Sequence, residues 1–487
     1  MRTFARGLLP VAVVAVLAFA ACAGTAGAAS TPLFGFSDNA VVRGQVTPAV
    51  SAQLAKSAGA NVTRTVLSWR DVEPNPGELR LTVYDSIYKA SLAQGIRPVF
   101  VLVNAPRWAL PSGVTCADDV HCRYAPAPEH DDAWRAFVAT IAKRYPQMAA
   151  LEIWNEPNLK AFWNGPIDPK RYTDLLKQAF AAAHQVNPAL PVLGGSLSNY
   201  RAGDPAVGMS YRDFLRIMYL AGARGNMDGL AMHPYPEDID PWWFYKMLTD
   251  VREIRDNWGD SATKLWITEV GVTTTDPTNA RYVFDGSSQA IMLTRLYLML
   301  GSMPDVAATL LYTLIDPFTL DGFGIVGSQP GLFPKPAYCM LASVNHTGYV
   351  CPAGVTTQPT IDEIQALRWR AEELLQSAAD AARAYRTSTR SYVGLNSTVL
   401  HAAVPQISAT PAIATLWPGA SADPTRVAVR GWKSSAGIEN LMLCNTSQAD
   451  RSYCIWTAPG AGWTYGKAEG PINAAAGSLS SGASWSW

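Results

Sequence analysis

Two glutamates occupy corresponding places in two similar stretches of this sequence. Leu151-Glu-Ile-Trp-Asn-Glu-Pro-Asn158 is a short apolar run stopped by Pro157, with Glu156 just past its end and the amide Asn155 beside it. A run of this kind reads as a buried strand. Lys264-Leu-Trp-Ile-Thr-Glu-Val-Gly271 repeats the design and puts Glu269 at the end of a second such strand. Two carboxylates at the C-terminal ends of two parallel strands can face one another across a pocket. Cleavage of a glycosidic bond requires such a pair, about 5–5.5 Å apart for retention of configuration and about 6.5–9.5 Å for inversion.

The elements that must position them run from about Pro32 to Met340. Strand patterns cover Leu33–Ser37, Asn61–Leu67, Pro98–Val103, Leu151–Trp154, Pro191–Gly195, Gly229–Met232, Lys264–Thr268 and Ala307–Leu314. Helical patterns lie between them at Ala49–Ser57, Val83–Ala93, Asp132–Arg144, Tyr172–Gln185, Tyr211–Ala221, Trp243–Trp258 and Ser288–Gly301. This alternation predicts an α/β fold, a (β/α)8 TIM barrel over 32–345. The rival is a doubly wound open sheet. It would usually carry a glycine-rich phosphate loop after the first strand, where this chain has Phe34-Gly-Phe-Ser-Asp38.

In a barrel the chemistry sits on the loops after the strands. Here those loops are rich in aromatic residues: Trp69 after the second strand, Trp108 after the third, Trp163 after the fourth, and His233-Pro-Tyr235 with Trp242-Trp243 after the sixth. Sugar rings stack their C–H faces on such side chains. The competing reading is core packing, because tryptophan is highly buried on average.

The chain has 487 residues, 48% of them hydrophobic, enough for a large core with a smaller domain beside it. Its 39 basic and 39 acidic side chains balance, so nothing in the charge points to nucleic acid or to an anionic membrane surface. Residues 1–28 read as an export signal: Arg2 and Arg6, then an apolar core over Leu8–Ala21, then Ala26-Gly27-Ala28 as a cleavage site. Phe19-Ala20-Ala21-Cys22 offers a second reading, cleavage before Cys22 and a lipid on its thiol. The location is then secreted or cell-envelope, with the membrane touched only through that lipid.

Six further cysteines fall into three close pairs, Cys116 with Cys122, Cys339 with Cys351, and Cys444 with Cys454. Local disulfides are the simplest pairing in an oxidising compartment. Their spacing does not suggest a zinc site. Thr360-Ile-Asp-Glu363 is a capping box that opens a connecting helix over 360–386. Residues 388–487 are poor in charge and carry short alternating runs, which predicts a small C-terminal β domain such as a sandwich. Trp417, Trp432, Trp456, Trp463, Trp485 and Trp487 are candidates for a carbohydrate-binding face there, with core packing as the alternative. The tail from Ala474 is of low complexity.

Taken together, Trp154-Asn-Glu-Pro-Asn158 and Ile267-Thr-Glu-Val-Gly271 resemble the strand-four and strand-seven motifs of the retaining glycoside hydrolases of clan A. Val62-Thr-Arg64 is similar to the clan's strand-two arginine, and His233-Pro-Tyr235 to its strand-six His-x-Tyr. The stretch from Gly322-Phe-Gly324 to Lys335-Pro-Ala-Tyr338 resembles the segment after strand eight. The resemblance spans about Leu33 to Tyr338. Asn104-Ala-Pro-Arg-Trp108 and the missing strand-three histidine make it closer to family 39 than to family 5.

The resemblance implies that Glu156 is the acid/base and Glu269 the nucleophile. It implies that Arg64 and the hydroxyl of Tyr235 hold Glu269, and that Asn155 bonds the sugar's 2-hydroxyl. Arg64, Asn155, His233, Tyr235, Trp69, Trp108 and Trp163 are the expected sugar-binding set. Tyr312 joins them, because it lies in the run Leu311-Tyr-Thr-Leu-Ile-Asp316 where family members often carry tryptophan. No metal or organic cofactor is implied. The expected activity is that of an exported O-glycosyl hydrolase acting, as a monomer, on an extracellular or cell-envelope polysaccharide or oligosaccharide. A non-catalytic carbohydrate-binding protein of the envelope on the same scaffold is the alternative.

Overall fold

Eight parallel strands close on themselves in chain order, with the first paired to the eighth. They are β1 (Leu33–Ser37), β2 (Val62–Ser68), β3 (Arg97–Val103), β4 (Ala150–Ile153), β5 (Val192–Ser198), β6 (Gly229–His233), β7 (Lys264–Val270) and β8 (Val306–Tyr312). The computed structural model describes residues 32–355 except 120, 237–241, 276–285, 318–321, 329–330, 347 and 353–354. Beyond these it describes residues 377–378, 380–386, 388, 395, 397–403, 428–433, 439–446, 451–458, 462–469 and 485–486. The export signal, Cys22 and the capping box at Thr360 lie outside the described residues.

The helices are α1 (Pro48–Ser57), α2 (Trp69–Val72), α3 (Thr82–Ala93), α4 (Asp131–Arg144), α5 (Pro169–Val186), α6 (Tyr211–Leu220), α7 (Trp242–Asn257), α8 (Gly286–Ser302) and α9 (Pro336–Asn345). Several begin at residues chosen for the task. Asp168 caps α5 by accepting from the backbone N–H groups of Lys170 and Arg171, both at 3.0 Å, and Pro169 follows it at the first helical position. A cap of this kind satisfies donors the helix itself leaves open. Among the described residues no helix is long and apolar enough to cross a membrane.

The barrel interior changes character along its axis. Strand side chains alternate between the two faces. Val62, Ala150, Ala231, Trp266 and Ala308 form one buried apolar cluster with Val99, Leu193 and Leu310. Gly229 leaves the room that Trp266 occupies, because a Cβ there would lie 2.5 Å from the indole. Two residues further along each strand the inward positions become polar: Arg64 after Val62, Glu152 after Ala150, His233 after Ala231 and Thr268 after Trp266. The apolar plug closes the N-terminal end, and the polar layer lies toward the C-terminal end, where barrel chemistry occurs.

Two of the local disulfides are present, Cys116–Cys122 with a Cα separation of 5.4 Å and Cys339–Cys351 with 5.6 Å. Both fall within the usual span of about 4.4–6.8 Å. Past the barrel, residues 380–386 are helical, and Asp380 accepts from Arg252 of α7 at 2.9 Å. The C-terminal strands form one five-stranded antiparallel sheet, where the sequence predicted a sandwich. Within it Cys444 and Cys454 are register partners on adjacent strands. Their side chains, and those of the C-terminal tryptophans on these strands, lie outside the described residues.

Candidate active site

Glu156 and Glu269 converge at the C-terminal mouth of the barrel. Each offers a carboxylate oxygen within 4.8 Å of the other and of His233 Nδ1. The backbone there is unusual. Among the described residues, Asn104, Trp154, Glu156 and Ser196 are the non-glycine residues in the left-handed region, with φ of 57°, 68°, 43° and 52°. All four lie at or near the ends of β3, β4 and β5. Such conformations cost about 1–3 kcal/mol each, persist only where the surroundings over-determine them, and cluster at functional sites. Here Glu156 N–H donates to Ser196 O at 2.9 Å and Trp154 N–H to Leu102 O at 2.9 Å. Asn158 ties the loop to β5, accepting from Ser198 N–H at 3.0 Å.

Strand β7 presents two adjacent residues, Thr268 and Glu269, to the same site. A regular strand would point them to opposite faces. The register between β7 and β8 shifts between Ile267 and Val270, and this irregularity re-aims them. Strand β5 does the same between Gly195 and Leu197, which turns the Ser196 hydroxyl onto Glu152.

Arg64 is fully buried, and each of its five N–H donors has a partner. Nε donates to Glu152 at 2.7 Å, and Nη2 donates to Glu152 at 3.2 Å and to Asn155 Oδ1 at 2.9 Å. Nη1 donates to Ser37 Oγ at 3.1 Å and to Glu269. The other oxygen of Glu269 accepts from the Tyr235 hydroxyl at 2.8 Å. Burial pushes the Glu269 carboxyl up, but His233, Arg64 and the hydrogen bonds from Tyr235 and Arg64 outweigh it and hold its pKa below the ordinary value. The Tyr235 hydroxyl is pushed well above its usual pKa by burial first and by the Glu269 charge second. Glu269 is therefore an ionised carboxylate at neutral pH, and Tyr235 is a neutral donor to it.

Glu156 has different company. His233 Nδ1 lies 2.9 Å from Glu156 Oε1, and the other ring nitrogen lies 3.1 Å from Thr268 Oγ1. Glu156, His233 and Glu269 have donor atoms close enough for a metal ion. The Arg64 guanidinium on Glu269, however, puts a fixed positive charge beside the place a cation would take. His233 already bonds Glu156 and Thr268, and Glu269 already accepts from Arg64 and Tyr235.

The structure redistributes the sugar-binding set. Arg64 and His233 are fully buried, so they act on a sugar only through the side chains they hold, the two carboxylates and, for Arg64, Asn155. Trp69 is fully buried and Trp163 is 3% exposed, so neither can stack on a ring. Trp69 stacks on Phe137 inside the core and donates to Glu73 Oε2 at 2.7 Å. Trp163 packs on Trp154 and donates to Pro166 O at 3.1 Å. Trp108 is half-buried against the core, with its N–H on Glu73 O at 3.1 Å. The side chains of Trp242 and Trp243 lie outside the described residues.

Among the described residues, Tyr235, whose hydroxyl bonds Glu269, packs with Tyr312 and Phe323 as an aromatic surface beside that carboxylate. Their ring centroids lie 5.4–6.3 Å apart in edge-to-face pairs. Phe323 was not singled out in the sequence, although Gly322-Phe-Gly324 contains it. Trp69→Phe should accordingly cost about 1–3 kcal/mol of stability, the ordinary range for a core change, while KM for any sugar substrate stays unchanged. Urea unfolding and steady-state kinetics check the two halves.

Asp38 lies at the rim of the same polar layer. Its carboxylate accepts from Thr313 Oγ1 at 3.0 Å and from Ala40 N–H at 3.3 Å. Burial pushes the carboxyl up to about 6, against those bonds and the charge of Arg43. The folded chain thus keeps this proton where the unfolded chain, at 3.8, has lost it. The resulting stability is present below about pH 4 and is lost as pH rises through about 6. Asp38→Asn should remove that dependence. Relative to wild type, the variant should gain about 1–3 kcal/mol between pH 4 and pH 6, read from urea midpoints.

No family model matches the sequence. Several solved structures do resemble the chain. A family 39 glycoside hydrolase from the gut symbiont Bacteroides cellulosilyticus WH2 aligns at 24% identity and TM-score 0.48, over 61% of this chain and 60% of that one. A monomeric beta-xylosidase from Caulobacter crescentus CB15 aligns at 20% identity and TM-score 0.50, over 65% and 69%. A family 39 beta-xylosidase from Caulobacter crescentus aligns at 22% and 0.48, over 66% and 73%.

Family 39 glycoside hydrolases of clan A are among its structural neighbours. The alignment with the Caulobacter crescentus CB15 enzyme, at TM-score 0.50, is a likeness of fold alone. The chain spans about 60% of the length of the Bacteroides enzyme.

Proposed function

We propose that this protein is a retaining O-glycoside hydrolase with Glu269 as nucleophile and Glu156 as acid/base. The observation that carries the proposal is the spacing of the two carboxylates, with oxygens within 4.8 Å. An approach of this kind fits the carboxyl separation of about 5–5.5 Å that retention uses better than the about 6.5–9.5 Å that inversion uses. Their unequal surroundings support the division of labour. Glu269 carries an arginine and a tyrosine hydroxyl and stays ionised. Glu156 faces an imidazole nitrogen.

The steps follow. Glu156 gives its proton to the leaving oxygen as the bond from that oxygen to the anomeric carbon breaks. Glu269 forms its ester bond to the same carbon from the opposite face. Water then attacks that carbon, gives a proton to Glu156, and releases Glu269. Asn155 is held by Arg64 beside the pair, where its amide can bond the sugar's 2-hydroxyl. Such a contact strengthens in the transition state. Tyr235, Tyr312 and Phe323 offer the apolar surface for the ring.

The two disulfides support action outside the cytoplasm, on an extracellular or cell-envelope saccharide, by a protein exported through residues 1–28. The aligned beta-xylosidase from Caulobacter crescentus CB15 makes aryl β-xylosides the first compounds to try. A panel of aryl glycosides and polysaccharides tests the reading, with Glu156→Gln and Glu269→Gln as controls. Hydrolysis that Glu269→Gln abolishes and that Glu156→Gln loses on substrates with poor leaving groups supports it. Saccharide binding without hydrolysis would favour a carbohydrate-binding protein instead.

A further inference from the structure

A buried carboxylate that the two-glutamate mechanism does not use sits under the site. Glu152 is fully buried on β4. It accepts from Arg64 Nε at 2.7 Å and Nη2 at 3.2 Å, from Thr268 Oγ1 at 3.0 Å, and from Ser196 Oγ. The groups facing it are Arg64 from β2, Tyr172 from α5, Ser196 from β5 and Thr268 from β7. His233 from β6 lies one bond further on, with Glu156 and Glu269 around its Nδ1.

These bonds have a direction. An ionised carboxylate can only accept, so the single hydroxyl proton of Thr268 points to Glu152. The Thr268 oxygen must then accept from His233, which puts a proton on Nε2. A neutral imidazole with Nε2 protonated has a bare Nδ1, and Nδ1 faces Glu156 at 2.9 Å. That contact is a hydrogen bond only if one proton lies in it, either on Glu156 or on Nδ1 of an imidazolium.

We propose that Glu152 is a positioning residue that sets the direction of the chain through Thr268 and His233, so that in the resting enzyme one proton is held between His233 and Glu156. The proposal rests on Glu156 being the acid/base and supplies what that role needs twice. Before the first step the proton is in place for the leaving oxygen. Once it has gone, the Glu156 carboxylate faces the Nδ1 lone pair, and the repulsion favours taking a proton from the attacking water. Arg64 donates to both Glu152 and Glu269, so the residue that orients the nucleophile also anchors the chain behind the acid.

Nitrogen-15 NMR of histidine-labelled protein tests this without any substrate. The His233 resonance is assigned by its loss in His233→Gln. In wild type Nε2 should carry a proton, as the neutral tautomer or the imidazolium. In Glu152→Gln and in Thr268→Val the neutral form with the proton on Nδ1 should appear, and Thr268→Ser should restore the wild-type pattern. Thr268→Val leaves Arg64 and its partners in place and carries the test if Glu152→Gln does not fold.

A kinetic arm uses the sugar found by the aryl glycoside panel. Both variants should lose at least ~10-fold more kcat/KM on an alkyl glycoside, which needs the acid, than on the dinitrophenyl glycoside, which does not. A wild-type His233 protonated on Nδ1 with a bare Nε2 overturns the proposal. So do variants with the wild-type tautomer and equal losses on both substrates, the result expected if Glu152 were only a counter-ion for Arg64. If no glycoside is cleaved, the reading of function fails while the NMR result still decides the direction of the chain.

Discussion

Replacing Glu269 with alanine is expected to remove turnover almost completely, by on the order of 10⁴–10⁶-fold, since the residue forms the covalent bond on which both steps depend. Azide should restore the reaction on a dinitrophenyl glycoside, because a small anion fits where the carboxylate was. It attacks from the nucleophile's face, so the glycosyl azide should have the configuration opposite to the substrate. Glu156→Ala should behave differently. Its loss on substrates with poor leaving groups should be about 10²–10⁴-fold, and much smaller on the dinitrophenyl glycoside. Azide should then give the retained product, because it attacks the glycosyl-enzyme and needs no general base. The opposite pattern of products would exchange the two roles. Wild-type activity in both variants would place the chemistry elsewhere.

Arg64→Met should cost about 3–5 kcal/mol of folding stability, the usual penalty for leaving a buried charge without its partner. The arginine is fully buried, and it neutralises Glu152 and Glu269 together. Methionine fills much of the space but offers no donor. The loss should depend on pH with a definite sign. Glu269 has a lowered pKa in the folded chain, so it stabilises the protein above its unfolded pKa, and that stability is lost as pH falls through the folded value. Without Arg64 the lowering weakens, and the gap between variant and wild type should narrow toward acid pH. Adding Glu152→Gln to Arg64→Met should recover part of the loss, since the second change removes the orphaned charge. Non-additivity of this kind is expected between residues in one network. Urea denaturation of the two single variants and the double variant measures it. A loss under about 1 kcal/mol for Arg64→Met would mean that the buried pair does not carry the weight assigned to it.

Much of the architecture was legible because barrel strands, buried on both faces, read as continuous apolar runs. All eight predicted strands overlap the observed ones, and each predicted helix between them overlaps an observed helix. The two carboxylates stood out because each ends an apolar run. Glu152 did not, because a single charge inside a buried strand reads as noise until its phase is known. Its signal was the alternation with Ala150, which places it inward on the barrel.

Thr268 was hidden for the opposite reason. Regular alternation gives the site either Thr268 or Glu269, and only the shifted register on β7 brings both. Trp69 and Trp163 misled because position at a strand end does not fix side-chain direction. Trp69 turns back into the layer between barrel and helices, where Phe137 and Trp134 receive it. Phe323 sits between two glycines in a loop with no periodic pattern, so its place beside Tyr235 and Tyr312 is set by tertiary packing alone.

The most direct test of the central claim is to find where the sugar becomes attached. Glu156→Ala, mixed with the dinitrophenyl glycoside of the cleaved sugar, should release dinitrophenol rapidly and accumulate the covalent intermediate, because the first step no longer needs the acid and the second lacks its base. Digestion and mass spectrometry should then find one glycosyl residue on the peptide carrying Glu269. Attachment to any other residue, or release of dinitrophenol with no sugar on the protein, would contradict the account.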